Sequence, residues 1–472
     1  VNGQTIHSFF GFKPDVTLQK IRKVEKRMGK KNTIYTKLDA IVIDEISMVR
    51  ADLLDCVDKF LRLNGPKSTR PFGGIQMIFI GDLYQLPPVL TSADRLAFSE
   101  QYASPYFFAA RVFSPEQTLL SDANVFSMEL VELEKIYRQH DDVFISLLNA
   151  VRNNTITAEE LELLASRYDP AYEPPRDAFE IHLTTTNAMA AEVNAKHLAQ
   201  LKGRQRTFTG SVSGKFERNQ LPTDEMLDIK IGAQVMLLNN DRGGRWINGT
   251  IGKIVDITRD KDIEMDVVMI ELPNGDVEPV LPYTWDMYAY RFDANNGQIE
   301  SDTIGSFTQY PFRLAWAVTI HKAQGKTFDR VILDIGRGTF APGQLYVALS
   351  RCTTLEGLVL KRPVAKKHIF MDWGVVKFMT RFQYAKSEAA LSLDEKVLLI
   401  ENAIESEQAL EIVYLKSSDV KSRRTIIPHV VGEMQYMDRP FIGVEAYCLS
   451  RKADRVFRVD KILEMQVTRA AP

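Results

Sequence analysis

The 472-residue sequence has few cysteines and no long apolar run. Cys56, Cys352 and Cys448 lie far apart and no C-x-x-C occurs, so neither a disulfide framework nor a zinc site is expected. No apolar stretch reaches the roughly 20 residues that a membrane-spanning helix needs. The opening residues VNGQTIHSFF lack the basic start and the apolar core of a signal peptide. We therefore expect a cytoplasmic protein that does not contact a membrane.

The sequence also lacks a strong excess of either charge, because its net charge is −2. The charges are unevenly spread, however. Residues 361–472 hold 19 Lys and Arg against 15 Asp and Glu, whereas residues 1–360 hold 40 against 46. A modestly basic C-terminal part favours a polyanionic partner. An ordinary solvated surface explains the same numbers, so both interpretations remain open.

Short apolar strands that alternate with helical patterns indicate an α/β fold in most of the chain. The runs AIVI (40–43) and MIFI (77–80) are unbroken, which is typical of parallel strands buried on both faces. Helical spacing of apolar residues connects these strands, and a further helix is predicted over 130–152. A second α/β unit begins with a strand and a helix over 180–200 and ends with a strand at 330–335.

Two other stretches are rich in predicted strands. Residues 210–312 contain short apolar alternations divided by Gly, Asn-Gly and Pro, which predicts a small β-rich insertion. Residues 386–406 have a helical pattern, and in residues 408–468 strands alternate with turns. The C-terminal segment is therefore predicted to be a separate small β domain.

Polar residues follow the first two apolar strands. Asp44 and Glu45 end the first strand and Gln85 follows the second, at the edge where α/β sheets bind ligands. Phosphoryl transfer from ATP needs a carboxylate for Mg²⁺, a second one that polarises the attacking water, a polar group at the γ-phosphate and charge-neutralising arginines. Arg138 in IYRQ and Arg351 in ALSRC are candidates for the arginines. Each group taken alone has an ordinary explanation: the two acids could be solvated residues at a strand end, and each arginine could form a surface ion pair.

Six segments in order extend this pattern: DEISM, GDLYQLPPV, YRQHDDVFISLLNAVR, GAQVMLL with WINGTIGKIV, AVTIHKAQGKTFDRV and GQLYVALSR. Together they resemble motifs II to VI of superfamily 1B DNA helicases of the PIF type, which are relatives of RecD. The resemblance covers roughly residues 3–360. It implies an α/β fold with two RecA-like P-loop NTPase motor domains that close on ATP and move 5′ to 3′ along single-stranded DNA.

The resemblance also implies a role for each polar group by its position in a motif. The implied roles are Mg²⁺ ligand for Asp44, general base for Glu45, γ-phosphate sensor for Gln85, arginine fingers for Arg138 and Arg351, and proximity to the ATP phosphates for Gly325.

Contacts with DNA are implied in the same way. GQTIHSFFGF matches motif Ia, so Thr5 and His7 would hydrogen-bond phosphates and Phe9 would offer a stacking face. For Phe9 and the neighbouring Phe10, packing of the ring in the protein core is the favoured alternative. Thr319 and His321 in TIHK would be the equivalent contacts of the second motor domain.

A basic run, VTLQKIRKVEKRMGKKN (16–32), occupies the position of a small wedge domain that splits duplex DNA in the family. Forked duplex DNA is therefore an expected partner, although a solvated basic helix explains the run almost as well. The β-rich insertion would be a small SH3-like barrel with Asn248-Gly249 as a hairpin turn.

Residues 408–468 resemble a different module, the WYL domain, which is an Sm-like β barrel of bacterial regulators. The matching segments are IVY, RRTIIP and EAYCLSRKADRVFRVDKI, but the Trp-Tyr-Leu signature itself is absent. A basic groove with aromatic edges would suit a nucleic acid or a nucleotide. Its candidate residues are Arg424, Tyr447, Arg455 and Arg458. The alternative is a barrel that only braces the motor.

These observations predict a bacterial, cytoplasmic, monomeric ATP-dependent DNA helicase that uses ATP and Mg²⁺ in replication, repair or recombination. One rival is a single-stranded DNA-binding or regulatory protein without turnover. A Mg²⁺-dependent nuclease is the other, although no further carboxylate cluster supports it.

The predicted domains are 1–170, a first motor domain that is N-terminally incomplete and has a wedge element at 12–33; 171–372, a second motor domain with an insertion near 210–312; 373–407, a helical linker; and 408–472, the WYL-like domain.

A phosphate-binding loop of the form G-x-x-x-x-G-K-[ST] occurs nowhere in the 472 residues. The nearest string, QGKT (324–327), belongs to HKAQGKT. In the family that the chain resembles, this loop precedes motif Ia, where the present sequence begins without Met. We therefore expect that residues carrying the first strand, the loop and its helix are missing, and that the chain as written neither binds ATP tightly nor hydrolyses it.

Overall fold

A computed structural model describes the chain except for residues 1–2, 14, 25–33, 91–94, 96–97, 114–127, 134–135, 176–177, 217–220, 263, 294–297, 417–419, 438 and 469–472; side chains are described outside 289–302. Two compact units divide the chain. One contains residues 1–128, 134–148 and 157–369, and the other contains residues 129–133, 149–156 and 370–472. None of the described helices is long and apolar enough to cross a membrane.

The described helices are α1 (Ile6–Phe10), α2 (Ala51–Asn64), α3 (Asp142–Arg152), α4 (Ala158–Ala165), α5 (Asn187–Gln200), α6 (Gln344–Leu349), α7 (Trp373–Ala390) and α8 (Leu393–Glu405).

The strands of the first unit are β1 (Ala40–Ile43), β2 (Gln76–Phe79), β3 (Ile181–Thr184), β4 (Arg206–Thr209), β5 (Ser211–Gly214), β6 (Met226–Ile229), β7 (Gln234–Leu237), β8 (Ile251–Asp260), β9 (Met265–Glu271), β10 (Val277–Val280), β11 (Tyr283–Asp293), β12 (Gln298–Gln309), β13 (Phe312–Leu314), β14 (Ala317–Thr319), β15 (Val331–Asp334) and β16 (Leu358–Leu360). Those of the second unit are β17 (Ala409–Leu415), β18 (Lys421–Tyr436), β19 (Arg439–Cys448), β20 (Ala453–Arg458) and β21 (Ile462–Thr468).

The first two strands are parallel, as predicted, and α2 connects them. Gly65 is the C-cap of α2, and the helix ends there because its backbone is extended, with φ −86° and ψ −174°. The prediction that both faces of these strands are buried is wrong. Val42 is 57% exposed and Ile78 is 39% exposed. Val42 and Ile78 pair with each other in the β1–β2 register, so they lie on one face of the sheet, and that face is in contact with solvent.

The helix predicted over 130–152 is wrong in its first half, since regular helix starts only at Asp142. The reason is local capping. The Asp141 carboxylate accepts the backbone N–H groups of Val143 and Phe144, at 2.9 and 3.3 Å, which fixes the helix start at this point.

A second parallel sheet has the order β14-β3-β15-β16. Helix α5 follows β3 directly and begins at Thr186, whose side-chain oxygen accepts Met189 N–H. The strand and the helix predicted over 180–200 and the strand predicted at 330–335 are thus present in the structure.

The region between β3 and β14 is built from antiparallel strands. Its largest sheet has the order β10-β9-β8-β7-β13, and smaller sheets have the orders β11-β12-β5 and β4-β6. The apolar residues that alternate in the sequence form its core, including Val235, Ile254, Val268 and Phe312. No sheet in the described part of this region closes on itself, so the predicted small barrel is not confirmed.

The second unit contains one antiparallel sheet with the order β20-β19-β18-β17-β21. Its outer strands, β20 and β21, do not pair with each other in the described residues, so the predicted Sm-like barrel is not confirmed either. Helix α8 packs Ile400 and Ala403 onto the core side of this sheet. Lys396 of the same helix is 1% exposed and donates to Ser387 Oγ of α7, at 2.9 Å.

Candidate active site and nucleic-acid contacts

The predicted acids lie at the carboxyl ends of β1 and β2. Asp44 and Glu45 directly follow β1, and Asp82 follows β2. Glu45 has φ 50° and ψ 43°, a left-handed conformation that costs a residue with a side chain about 1–2 kcal/mol. Strain of this kind is frequent at functional sites. The turn places the Glu45 side chain away from the direction of the strand, at the edge of the sheet.

A hydrogen-bonded network connects this edge with the segment that follows β14. Gln324 Nε2 donates to Glu45 Oε2 at 2.9 Å and to Gln85 Oε1 at 3.2 Å. Gln85 Nε2 in turn approaches Asp82 Oδ2 at 3.4 Å. The structure therefore brings together two predicted residues, Glu45 and Gln85, through a third that sequence reasoning missed. Gln324 stands in HKAQGKT, so the motif was the available signal.

The surroundings of Glu45 raise the pKa of its carboxyl group above the ordinary value of 4.5. Burial is the largest cause, and the nearby charges of Asp44 and Asp82 act in the same direction, while the hydrogen bond from Gln324 and the charge of Arg351 oppose them. A carboxylate with a raised pKa is a better proton acceptor at neutral pH than an ordinary glutamate.

Gly325 lies beside the same carboxylate. Its φ is +76°, and a Cβ atom built there would be 3.9 Å from Glu45 Oε1. A glycine at this position allows the left-handed turn.

The two predicted arginines lie near each other, because Arg138 contacts the residue that precedes Arg351. Arg351 is 1% exposed and donates to Val347 O, Lys326 O and Ser350 Oγ, at 3.0, 3.1 and 3.0 Å. Burial, followed by the positive charge of Arg138, lowers the pKa of Arg351 to about 10.

Arg138 Nη1 reaches Ser350 O at 3.4 Å. Its neighbour Gln139 is buried and donates to the carbonyls of Ser350 and Cys352, at 3.1 and 3.0 Å. Gln139 therefore fixes the IYRQ segment next to the ALSRC segment. Sequence reasoning named the motif but not this side chain.

The strand-end residues suit Mg²⁺ and a nucleotide. Mg²⁺ in nucleotide sites usually takes one or two carboxylates and completes its shell with phosphate oxygens and water. Asp44 is exposed and Asp82 lies at the neighbouring strand end. No cluster of three or more His, Cys, Asp or Glu side chains suited to a metal occurs among the described residues. Gln324 Oε1 is buried without a hydrogen-bond partner, which leaves an acceptor for a water molecule beside Glu45.

The side chains near the N-terminus that were predicted to contact DNA also make contacts within the protein. Thr5 Oγ1 accepts the backbone N–H of Ser8 at 3.2 Å and caps α1. The half-buried ring of Phe9 packs edge-on against Phe10 and Tyr35, with ring centroids 4.9 and 5.8 Å apart. This agrees with the core-packing alternative. His7 is half-buried in the same short helix.

The predicted wedge element lies partly outside the described residues, because 14 and 25–33 are not described. In its described part, Leu18–Lys20 forms a single 3-10 turn, and Lys59 of α2 donates to Leu18 O at 2.8 Å. Lys20 pairs with Asp15.

The other two candidates are Thr319, the last residue of β14, and His321, which lies in the turn that follows it. Thr319 is buried and its Oγ1 accepts Lys322 N–H at 3.3 Å. Burial lowers the pKa of the half-buried His321, so its imidazole is neutral at pH 7.

The four candidates in the C-terminal sheet do not share one face. Arg424 lies on the core side, where its Nη1 is 3.7 Å from Cys448 Sγ. Arg455 pairs with the buried Ala446 and so belongs to the same side, although it is exposed on the outer strand β20.

Tyr447 and Arg458 lie on the opposite face. In the β19–β20 register Tyr447 pairs with Asp454 and Arg458 pairs with Gly443. Tyr447 and Gly443 are an odd number of positions from Ala446 along β19, so they lie on the face opposite to it. The Arg458 guanidinium lies 5.2 Å from the centroid of the Phe441 ring and makes two hydrogen bonds with Asp460. A single groove lined by all four residues is therefore not formed.

Comparison with known families and structures agrees with this geometry. Residues 1–162 match the PIF1-like helicase family, residues 314–359 match the UvrD-like helicase C-terminal domain and residues 395–467 match the WYL domain. The ATP-dependent DNA helicase PIF1 of Danio rerio is 33% identical over 365 residues, which cover 76% of this chain and 52% of that protein. The ATP-dependent DNA helicase Pif1 of Bdellovibrio bacteriovorus is 30% identical over 395 residues, 81% of this chain and 80% of its own length.

Solved structures give the same result. Bacteroides sp Pif1 in complex with ADP-AlF4 is 36% identical, with a TM-score of 0.67, over 81% of this chain and 84% of that one. Bacteroides Pif1 bound to single-stranded DNA matches 80% of this chain and 83% of that one, with 36% identity and a TM-score of 0.57. The present chain spans about half the length of the Danio rerio protein. The chain therefore belongs to the PIF1-like helicase family, and its C-terminal part is a WYL domain.

Proposed function

We propose that this chain is the motor region of an ATP-dependent DNA helicase that moves along single-stranded DNA. The observation that carries the proposal is the hydrogen-bonded network at the ends of β1 and β2. It joins Glu45, which has a raised pKa, to Gln85 through Gln324, which lies in the segment after β14 of the second parallel sheet. ATP hydrolysis that drives movement requires catalytic groups contributed from both sheets, and this network has that property.

The proposed chemistry assigns one task to each group. Mg²⁺ bound together with ATP would neutralise phosphate charge and make the γ-phosphorus more electrophilic. Asp44 would hold the metal, and Glu45 would accept a proton from the attacking water. Gln85 reports the presence of the γ-phosphate through Gln324, because both amides belong to one network. Gly325 lies near the phosphates.

Arg138 and Arg351 are proposed as arginine fingers. In the present arrangement Arg351 donates to backbone carbonyls, and its charge is not paired with a carboxylate at ion-pair distance within the described part of the chain. A buried cation in this situation is stabilised by an approaching anion. We infer that both guanidinium groups turn towards the charge that develops on the γ-phosphate.

Single-stranded DNA and forked duplex DNA are the proposed nucleic-acid substrates. Thr5, His7 and Phe9 in the first motor domain and Thr319 and His321 in the second are the proposed contacts. The domain boundaries 1–170 and 171–372, the wedge, the small barrel and the 5′ to 3′ direction remain part of this proposal and rest on the family resemblance.

For the WYL domain we propose a nucleic-acid or nucleotide ligand. The arrangement of side chains favours the face with Tyr447, Arg458 and Phe441, which places a cation over an aromatic ring. Arg424 and Arg455 belong to the opposite face.

The rival function is that of a single-stranded DNA-binding protein without turnover. The two functions separate in one experiment. ATP hydrolysis is measured with and without single-stranded DNA, for the 472-residue chain and for the same chain joined to an N-terminal strand–loop–helix segment of a PIF1-like helicase.

The helicase proposal expects DNA-stimulated hydrolysis in the joined protein, and expects its Glu45→Gln variant to lose it. If the joined protein binds DNA but shows no hydrolysis above that of Glu45→Gln, the motor proposal fails and the binding function is retained.

A further inference from the structure

Gly343 brings two segments of the first unit into backbone contact. It precedes α6 and has φ 71°, a left-handed conformation that residues with side chains rarely adopt. A Cβ atom at this position would lie 2.6 Å from Gln85 O and closer still to Tyr84 O, whereas ordinary Cβ contacts begin at 3.4 Å. Glycine is therefore required here for two separate reasons, the backbone conformation and the closeness of the Tyr84–Gln85 segment.

Neither side of this contact has room to withdraw. Tyr84 and Leu86 are buried on one side. On the other side Gln344 is buried, and its Oε1 accepts the backbone N–H of Phe340 at 3.0 Å. Close packing of this kind transmits a displacement instead of absorbing it. A side chain at position 343 would therefore shift one of the two segments by about 1 Å, the difference between 2.6 Å and an ordinary contact.

Hydrogen bonds connect this contact to the Arg351 guanidinium. The carbonyl of Gly343 accepts Val347 N–H at 2.9 Å, and the carbonyl of Val347 accepts Arg351 Nε–H at 3.0 Å. Both bonds run along α6 and its end. A change at the start of this short helix therefore acts on the guanidinium over about two helical turns.

A second route connects Gln85 to Arg351. Gln85 Oε1 accepts Gln324 Nε2–H at 3.2 Å. Two residues after Gln324, the carbonyl of Lys326 accepts Arg351 Nη1–H at 3.1 Å. Gln85 is thus connected to Arg351 twice, once by this route and once by the backbone contact and α6. Two connections fix the relative position of two groups more firmly than one.

We propose that Gly343 is a positioning residue for ATP hydrolysis. By allowing the Tyr84–Gln85 backbone to lie on the start of α6, it fixes Gln85 and Arg351 relative to each other. The inference rests on the proposed motor function, in which Gln85 senses the γ-phosphate and Arg351 neutralises charge in the transition state. A movement of Gln85 on loss of the γ-phosphate then moves Arg351 as well.

The first test is urea-induced unfolding of the full chain without nucleotide. Gly275→Ala is the matched control for Gly343→Ala, because Gly275 lies between β9 and β10, has φ +87° and has nothing within 4 Å of its Cβ position. Gly343→Asn is the second variant, since asparagine tolerates the left-handed conformation better than alanine. Both Gly343 variants should unfold at lower urea concentration than the control. If Gly343→Asn unfolds close to the wild type, backbone strain alone explains the glycine and the contact is overturned.

A double-mutant cycle with Gln324→Leu tests the coupling. Whichever segment moves in Gly343→Ala, it pulls on a hydrogen bond at Gln324 or Lys326, so Gln324→Leu should lower the urea midpoint less in this background. In Gly275→Ala it should keep its full effect, because a side chain in open space shares no partner with Gln324. Equal effects in all backgrounds would overturn the positioning role.

If Gly343→Ala does not fold, the cycle is made with Gln344→Met. This variant loosens the start of α6 by removing the bond to Phe340 N–H and leaves position 343 unchanged. Its coupling to Gln324→Leu should have the same sign, and additivity would again overturn the positioning role.

The second test measures ATP hydrolysis in the chain joined to a phosphate-loop segment. A displacement of about 1 Å in a catalytic group costs about 10²-fold in rate. Gly343→Ala should therefore lower kcat about 10²-fold with little change in KM, whereas Gly275→Ala should keep both. A loss confined to KM, or no loss, would overturn the positioning role. If the wild-type joined protein does not hydrolyse ATP, the motor proposal fails, whereas the double-mutant cycle still decides whether Gly343 couples the two segments.

Discussion

Replacement of Gln324 by leucine should destabilise the protein more at pH 8 than at pH 4.5. The side chain donates to the Glu45 carboxylate at 2.9 Å. At pH 8 Glu45 is ionised, and a hydrogen bond to a charged group contributes roughly 1.5–3 kcal/mol. Glu45 is half-buried, so solvent screening favours the lower end of that range. At pH 4.5 the raised pKa keeps much of Glu45 protonated, and a neutral hydrogen bond contributes only about 0.5–1.5 kcal/mol.

The direction in which stability changes with pH follows from the pKa of Glu45. Burial raises that pKa above 4.5, so ionisation of Glu45 lowers the stability of the folded state as pH rises from this value. Gln324 opposes the shift. Without it the pKa of Glu45 rises further, and the loss of stability on going to pH 8 becomes larger by about 1 kcal/mol, the difference between a charged and a neutral hydrogen bond.

The assay is urea-induced unfolding of the full chain at pH 4.5, 6, 7 and 8, with midpoint and slope fitted together. Gln139→Leu is the matched control, because in the described part of the chain Gln139 donates to the neutral carbonyls of Ser350 and Cys352 and to no carboxylate. Its effect should be independent of pH. A Gln324→Leu effect of equal size at pH 4.5 and pH 8 would refute the charge-assisted bond and the role of Gln324 in positioning Glu45.

Three other variants test the two units. In a chain joined to a phosphate-loop segment, Glu45→Gln should lower turnover by about 10²–10⁴-fold with nucleotide binding retained, measured by steady-state hydrolysis and fluorescent-nucleotide titration. Arg138→Ala should lower kcat more than it raises KM, and an effect confined to KM would assign it to ground-state binding. Burial lowers the pKa of Lys396, so its charged form disfavours folding and the wild type should gain stability between pH 8 and pH 10.5. Lys396→Met should abolish this gain. Equal pH profiles of the two proteins in urea unfolding would contradict the prediction.

The sequence was sufficient to locate the groups whose position depends on local order. Asp44, Glu45 and Gln85 follow apolar runs, and the carboxyl ends of parallel strands meet at one edge of a sheet. Motif order suggested Arg138 and Arg351 as the arginines, and in the structure Arg138 Nη1 lies 3.4 Å from Ser350 O, next to Arg351 in the chain. The strand-end position of Asp44 and Glu45 could be inferred because a strand's direction and its terminal residues are encoded within a few consecutive positions, and the catalytic roles stay predictions.

Only the tertiary structure decided which distant side chains meet. Gln324 reaches Glu45 across a sequence separation of 279 residues, and Gln139 reaches Ser350 across 211. Hydrophobic periodicity describes one element at a time and carries no information about such pairs.

The same limit applies to faces and surfaces. The four C-terminal candidates separated onto two faces because strand register places Tyr447 and Ala446 on opposite sides of the sheet. The exposure of Val42 depends on which elements pack on that face of the β1–β2 sheet. Composition and motif therefore determined the kind of protein and most of its proposed catalytic groups, whereas long-range packing decided which side chains act together.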